Sequence, residues 1–327
     1  MAKIVLGIAS SHAPQLAMPP HQWRAHGDRT RRVAEHWFEG KTYSFPELAE
    51  LRAENHFEKE CTEEKFQVRF DACQKAIAHL AQTLDRVSPD TCIMFGDDQH
   101  EALDDGNMPS IAIYHGGTID DDPAARDLRR EDWLDNQPDG RVTHPADAKL
   151  GEYLLEALAS DFDLARIDRL RENRHLGAIG HAFYFLYRRL MNNEVIPHVP
   201  VLLNTYYPPN VPSAQRCYKL GEAVRQAIEA WDSSARVALF ASGGLSHTVI
   251  EEDLDDRMIY GLRRDDVAKL TDLPDVRFRS GTSEIKNWIV TAGALSGTGL
   301  QFNLVDYVPC YRTEAGNGCA MGFAEWV

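Results

Sequence analysis

The sequence predicts an α/β fold: one large domain over residues 1–327, with a central mixed sheet flanked by helices and a helical insertion at 19–61 after the first strand. Two observations carry this reading. Short apolar runs rich in β-branched residues recur along the chain and alternate with longer stretches of helical period. Each apolar run also ends in small or polar residues, at the strand ends where open α/β sheets bind their ligands. The length of 327 residues admits two ordinary domains or one large one with insertions, and a hydrophobic content of 43% is enough for a sizeable core.

The first strand is Lys3 to Ile8, followed at once by Ala9-Ser10-Ser11-His12-Ala13-Pro14. Pro19 to Cys61 is an insertion with one or two short helices; its aromatics, Trp23, Trp37 and Phe38 among them, suit a lid, a subunit contact or a small satellite core. Glu63 to Leu84 is a long amphipathic helix in which Phe66, Phe70, Cys73, Ile77 and Leu80 share a face. Ser88-Pro89-Asp90 ends it. Thr91 to Phe95 is the second buried strand and runs into Gly96-Asp97-Asp98-Gln99-His100-Glu101. Pro109 to Tyr114 is the next strand, and Thr118 to Asp147, dense in Asp, Pro and Arg, reads as a solvated connection.

Ala148 to Leu158 reads as a helix. Arg174 to His181, with Gly177 and Gly180 to let the backbone pass close to a neighbour, precedes a second helix from Ala182 to Met191. Val199 to Asn204 is a strand ending in Thr205-Tyr206-Tyr207-Pro208-Pro209, and Ala214 to Trp231 is a helix. Val237 to Phe240 is a buried strand ending in Ala241-Ser242-Gly243-Gly244-Leu245-Ser246-His247. The rest is helical and charged, with Arg279 to Glu284 ahead of an apolar helix, Ile285 to Leu295. Phe302 to Val305 and a glycine-rich tail from Ala315 to Phe323 follow.

A formal net charge of -15 argues against a nucleic-acid binder, which needs a basic face. No stretch is apolar for long enough to span a bilayer, and the start of the chain lacks a signal-peptide pattern. The six cysteines are scattered with no CxxC pair, as in reduced thiols rather than a disulfide frame or a zinc cage. A soluble cytoplasmic protein without membrane or nucleic-acid partners is expected.

Four buried strands thus end in His12, in the Asp97 to Glu101 cluster, in Asn204 and in His247, and Ser283-Glu284 opens an apolar helix. Two histidines and a carboxylate from separate elements suit a mononuclear non-haem Fe(II) site with positions left for substrate and oxygen. Further histidines beside it suit proton transfer near neutral pH. Each piece has a plainer alternative. His12 caps a strand, Glu284 favours a helix start, Asp97 and Asp98 form a turn, and His181 caps a helix. For His247 the two preceding glycines weigh against a mere turn, because they open space beside the ring.

Ser10-Ser11-His12-Ala13-Pro14, the Ser242 to His247 run and Gly281-Thr282-Ser283-Glu284-Ile285-Lys286-Asn287-Trp288 resemble the class III extradiol ring-cleavage dioxygenases, in the branch of the protocatechuate 4,5-dioxygenase β subunit. Asn204 to Pro209, Cys217-Tyr218-Lys219-Leu220-Gly221 and Cys310-Tyr311-Arg312-Thr313-Glu314-Ala315-Gly316 fit the same pattern, so the resemblance covers nearly all of the chain outside the insertion. It implies Fe(II) held by His12 and Glu284, His247 as acid–base catalyst and His181 beside it in the pocket. The family's strand–Asn-Asp-His pattern puts Gln99 where the second metal histidine belongs, with His100 one residue later. His100 is expected as the third ligand because neutral imidazole binds Fe(II) better than an amide, with Gln99 or Asp98 as alternatives.

The resemblance further implies an enzyme that opens a catecholic ring beside its hydroxyls with O2, the substrate being a monocyclic acid or a larger lignin-derived catechol. Asn204, Tyr206, Tyr207 and Ser246 are the expected substrate contacts, and a homo-oligomer is expected. Two rivals remain: a Memo-like metal-site binding protein without turnover, and a metallohydrolase. The scarcity of clustered ligands weighs against the second.

Overall fold

The computed structural model describes residues 1–122, 137–138, 140–170 and 179–327. Gly177, and much of the connection read between Thr118 and Asp147, lie outside the described residues.

The core of the molecule is four parallel strands in the order β1 (Lys3–Ser10), β10 (Arg236–Ser242), β4 (Thr91–Asp97) and β9 (His198–Leu203). On the β9 side, β5 (Ile111–Tyr114) adds antiparallel and β8 (Ala165–Ile167) parallel to it. On the other side, β13 (Asn317–Trp326) runs antiparallel to β1 and carries both β11 (His247–Val249) and β12 (Phe302–Tyr311). The result is a nine-stranded mixed sheet, the single α/β domain read from the sequence.

Side chains alternate across each strand, so each strand serves two cores. Cys92 and Met94 of β4 and Ala238 and Phe240 of β10 face α3 (Glu63–Val87) and α5 (His181–Arg189). Ile93, Phe95, Val237 and Leu239 face the opposite layer of α4 (Ala148–Leu158), α6 (Ala214–Ala230), α7 (Glu252–Arg264), α8 (Val267–Thr271) and α9 (Ile285–Leu295). Each such fully buried side chain contributes roughly 1.5–3 kcal/mol. The helices begin where side chains accept from free backbone N–H groups: Thr62 for α3, Asp147 for α4 and Ser213 for α6.

Three expectations need correction. The insertion is not purely helical: besides α1 (Trp23–Thr30) and α2 (Phe45–Leu51) it holds a hairpin of β2 (His36–Phe38) and β3 (Lys41–Tyr43), turned by Glu39 and Gly40, both at positive φ. Part of the Thr118 to Asp147 connection is also built structure. There β6 (Thr118–Asp121) pairs with β7 (Val142–Pro145), and buried Asp121 pairs with buried Arg188 at 3.0 Å. The glycine-rich tail is the inner strand β13, whose small residues let other groups pack close. A Cβ at Gly322 would come within 3.0 Å of Leu245 and Trp288.

Candidate metal centre

The parallel core puts the C-terminal ends of its strands side by side. Ser10 is in register with Ser242, and Asp97 with Leu203. His12 lies just beyond β1, Asp97 ends β4, His181 opens α5, and Glu284 lies immediately before α9. One ligand atom from each of these four residues falls within 4.8 Å of the other three.

Each donor is aimed by a neighbour. Ser242 Oγ donates to Ala182 O at 2.5 Å, so it accepts from His12 Nδ1–H at 3.0 Å and leaves the bare Nε2 of His12 facing inward. Nε2 lies 3.2 Å from Glu284 Oε2 and 3.9 Å from Asp97 Oδ1. The carboxylate of Glu101 accepts from His181 Nδ1–H at 2.9 Å and from its backbone N–H at 2.8 Å. It thus occupies the positive end of α5 and turns His181 Nε2 towards Asp97 Oδ2, 4.0 Å away. Gly244 N donates to Glu284 Oε2 at 2.8 Å.

His247 stands against the same carboxylate, its Nε2 3.1 Å from Glu284 Oε1 and its Nδ1–H on Leu245 O at 2.8 Å. Thr282 clamps its backbone from both sides, accepting from His247 N at 3.1 Å and donating to His247 O at 2.7 Å. A Cβ on Gly244 would sit 2.8 Å from the His247 ring, so one of the two preceding glycines makes the room that the sequence suggested; Gly243 passes close to Glu284 instead, and Gly281, at 2.3 Å, is a second close neighbour of the ring. Behind His247, buried Asp255 accepts from Ser246 N and Oγ, each at 2.7 Å, and from Tyr307 OH at 2.8 Å.

Burial would lower the histidines and raise the acids, but the pairings override it for some. Burial pushes His181 down and Glu101 outweighs it, leaving His181 at about 10. In the same way Glu284 holds His247 well above its ordinary value, while His247 and His12 hold Glu284 well below the carboxylate range. Asp97 goes the other way, raised by burial and by Glu284. Burial also lifts Asp98 to about 6 and Asp255 to about 7.

The donor chemistry fits a dication. His12 Nε2 and Asp97 Oδ1 are buried with no hydrogen-bond partner, and two imidazoles and two carboxylates converge there.

Of the expected site residues, the structure brings together His12, His181, His247 and Glu284. His100 is elsewhere. It sits at φ 61°, stacks on Tyr207 at 3.9 Å, and places Nε2 3.1 Å from Asp105. Gln99 Nε2 donates to Asp97 at 3.0 Å, and Asp98 accepts from Ala102 N and Leu103 N. Asn204 ties its own loop, donating to Tyr207 O and Asn210 O, while Tyr206 lies 5.5 Å from the Tyr207 ring. Ser246 spends its hydroxyl on Asp255. Trp23 packs on Phe66 in the core.

The sequence reading passed over Glu101 and Ser242 as orienting groups, and it placed Asp97 in the candidate cluster after β4 without naming it as a ligand. The one available signal was the density of acids after β4.

The family model for the catalytic LigB subunit of aromatic ring-opening dioxygenases matches residues 55–317. The chain belongs to this family. The matched range holds Asp97, His181, His247 and Glu284 and begins after His12. A gallate dioxygenase of Pseudomonas putida is 33% identical over 96 residues, 26% of this chain and 28% of that enzyme's length. The likeness therefore spans less than a third of that relative.

Proposed function

We propose that this LigB-family chain is a non-haem Fe(II)-dependent extradiol dioxygenase that opens the ring of a catecholic substrate with O2. The observation that carries the reading is the buried cluster at the strand ends, in which His12 Nε2 and Asp97 Oδ1 have no hydrogen-bond partner, with His247 beside it. On this reading residues 1–327 form one catalytic unit, with 19–61 as its cover or subunit contact, working as a cytoplasmic homo-oligomer. The partial likeness to a gallate dioxygenase supports a monocyclic trihydroxy or dihydroxy acid as substrate, with lignin-derived catechols as the wider class.

His12 and Glu284 would hold the iron, with the other donors of the cluster taken up below. Fe(II) would supply adjacent positions at which catechol and oxygen meet and exchange electrons. The chain's own contribution is proton handling and orientation. With Nδ1–H held by Leu245 O, His247 has Nε2 as the one atom at which a proton is held and exchanged with a catechol hydroxyl. His181, locked by Glu101, presents its Nε2 towards Asp97. Tyr207, stacked on His100 in the loop after β9, would be a candidate contact for the substrate ring.

The test is anaerobic loading with Fe(II), followed by oxygen uptake across gallate, protocatechuate and larger catechols. Uptake in proportion to added catechol, with a ring-opened product, is expected. No uptake with any catechol from iron-loaded protein would sink the reading and leave a metal-binding protein without turnover.

A further inference from the structure

We infer that Asp97 takes the place of the family's second metal histidine, and that with His12, His181 and Glu284 it makes a two-histidine, two-carboxylate site for a divalent first-row cation. The inference rests on reading the cluster as a metal centre, not on the identity of the reaction.

The backbone decides it first. Strand β4 continues through Gly96 to Asp97, whose Cα is in register with Leu203 on β9. Asp97 is therefore fixed at the sheet edge, in a completely buried position. The next three residues have other tasks. The carboxylate of Asp98 closes the loop onto Ala102 N at 2.8 Å and Leu103 N at 3.2 Å. That turn puts His100 in the left-handed region, with its ring lying parallel to Tyr207 and its Nε2 near the exposed Asp105. Gln99 donates to Asp97 Oδ2 at 3.0 Å, which orients the carboxylate and leaves Oδ1 bare in the pocket.

Charge completes the argument. Asp97 and Glu284 are two buried carboxylates in one cluster, the anionic pair that a bound dication neutralises. Two carboxylates balance a dication, where the family's single carboxylate leaves one positive charge. Glu101 gives His181 the orienter that metal-bound histidines generally have, a carboxylate on the far ring nitrogen.

The probe is Mn(II), which needs no oxygen-free handling and reports by electron paramagnetic resonance. Apo full-length chain is titrated as wild type, Asp97→Asn and His100→Ala. Asp97→Asn should weaken Mn(II) binding by at least about tenfold with no fall in the apo melting temperature, as expected when a repelled buried charge is removed. His100→Ala should bind like wild type. Retained affinity in Asp97→Asn, or a tenfold loss in His100→Ala, overturns the inference.

Should Asp97→Asn not fold, spin-echo counting of imidazole nitrogens on Mn(II) in the wild type decides. Two are expected in the wild type and two again in His100→Ala, and loss of a nitrogen in His100→Ala overturns the assignment. A chain that binds Mn(II) through Asp97 but consumes no oxygen with any catechol would remove the dioxygenase reading alone.

Discussion

At His247 the two ring nitrogens are distinguished by their neighbours, Nδ1 by the carbonyl of Leu245 and Nε2 by Glu284. A group so placed transfers protons at one atom only. His247→Gln should lower turnover roughly 10²–10⁴-fold while Mn(II) affinity stays near wild type; paired oxygen-uptake and titration experiments check both, and lost metal binding would make His247 a ligand instead. The His181–Glu101 pair gives a pH dependence of the apo protein. His181 is raised from 6.5 to about 10 in the folded chain, so its contribution to stability is complete below 6.5 and is lost as pH rises through about 10. The excess in melting temperature of wild-type apo protein over Glu101→Gln should therefore shrink between those pH values, and a constant difference would refute the assignment.

Among the elements, the insertion is held by Arg52. Its guanidinium donates to Ile250 O at 2.9 Å and Ala315 O at 3.1 Å, and it lies 4.7 Å from the Phe38 ring centroid and 4.5 Å from that of Phe57. Arg52→Ala should cost about 3 kcal/mol, read by denaturant titration, with new protease cleavage inside 19–61. Much at this scale was legible from periodicity alone: α4 and α9 run from Ala148 to Leu158 and from Ile285 to Leu295, as read. The metal ligand after β4 was harder. Apolar patterning ends at Phe95, but backbone pairing to β9 extends the strand by two residues, and pairing partners are not written locally. That difference is why the inferred ligand is Asp97 where the sequence reading expected His100. The hairpin at 36–43 is too short for an alternation to stand out, and β13 hides its burial in small residues.

For the whole molecule, the site is assembled from segments around residues 12, 97, 181 and 284, so only the folded chain binds the ion. Binding of that kind stabilises by mass action: Mn(II) at one hundred times its dissociation constant should add about 2.7 kcal/mol. The melting temperature should rise accordingly, fall back on chelation, and stay flat in His12→Ala. A flat response in the wild type would place the ion elsewhere.

The position of β1 between β10 and β13 has a consequence for biosynthesis. Its first sheet partner begins at Arg236 and its second at Asn317. On a ribosome adding roughly 5–20 residues per second, the strand that carries His12 emerges first and waits tens of seconds, edges open, for either neighbour. The apolar segment Ile4 to Ile8 is in that interval a natural client for a holding chaperone.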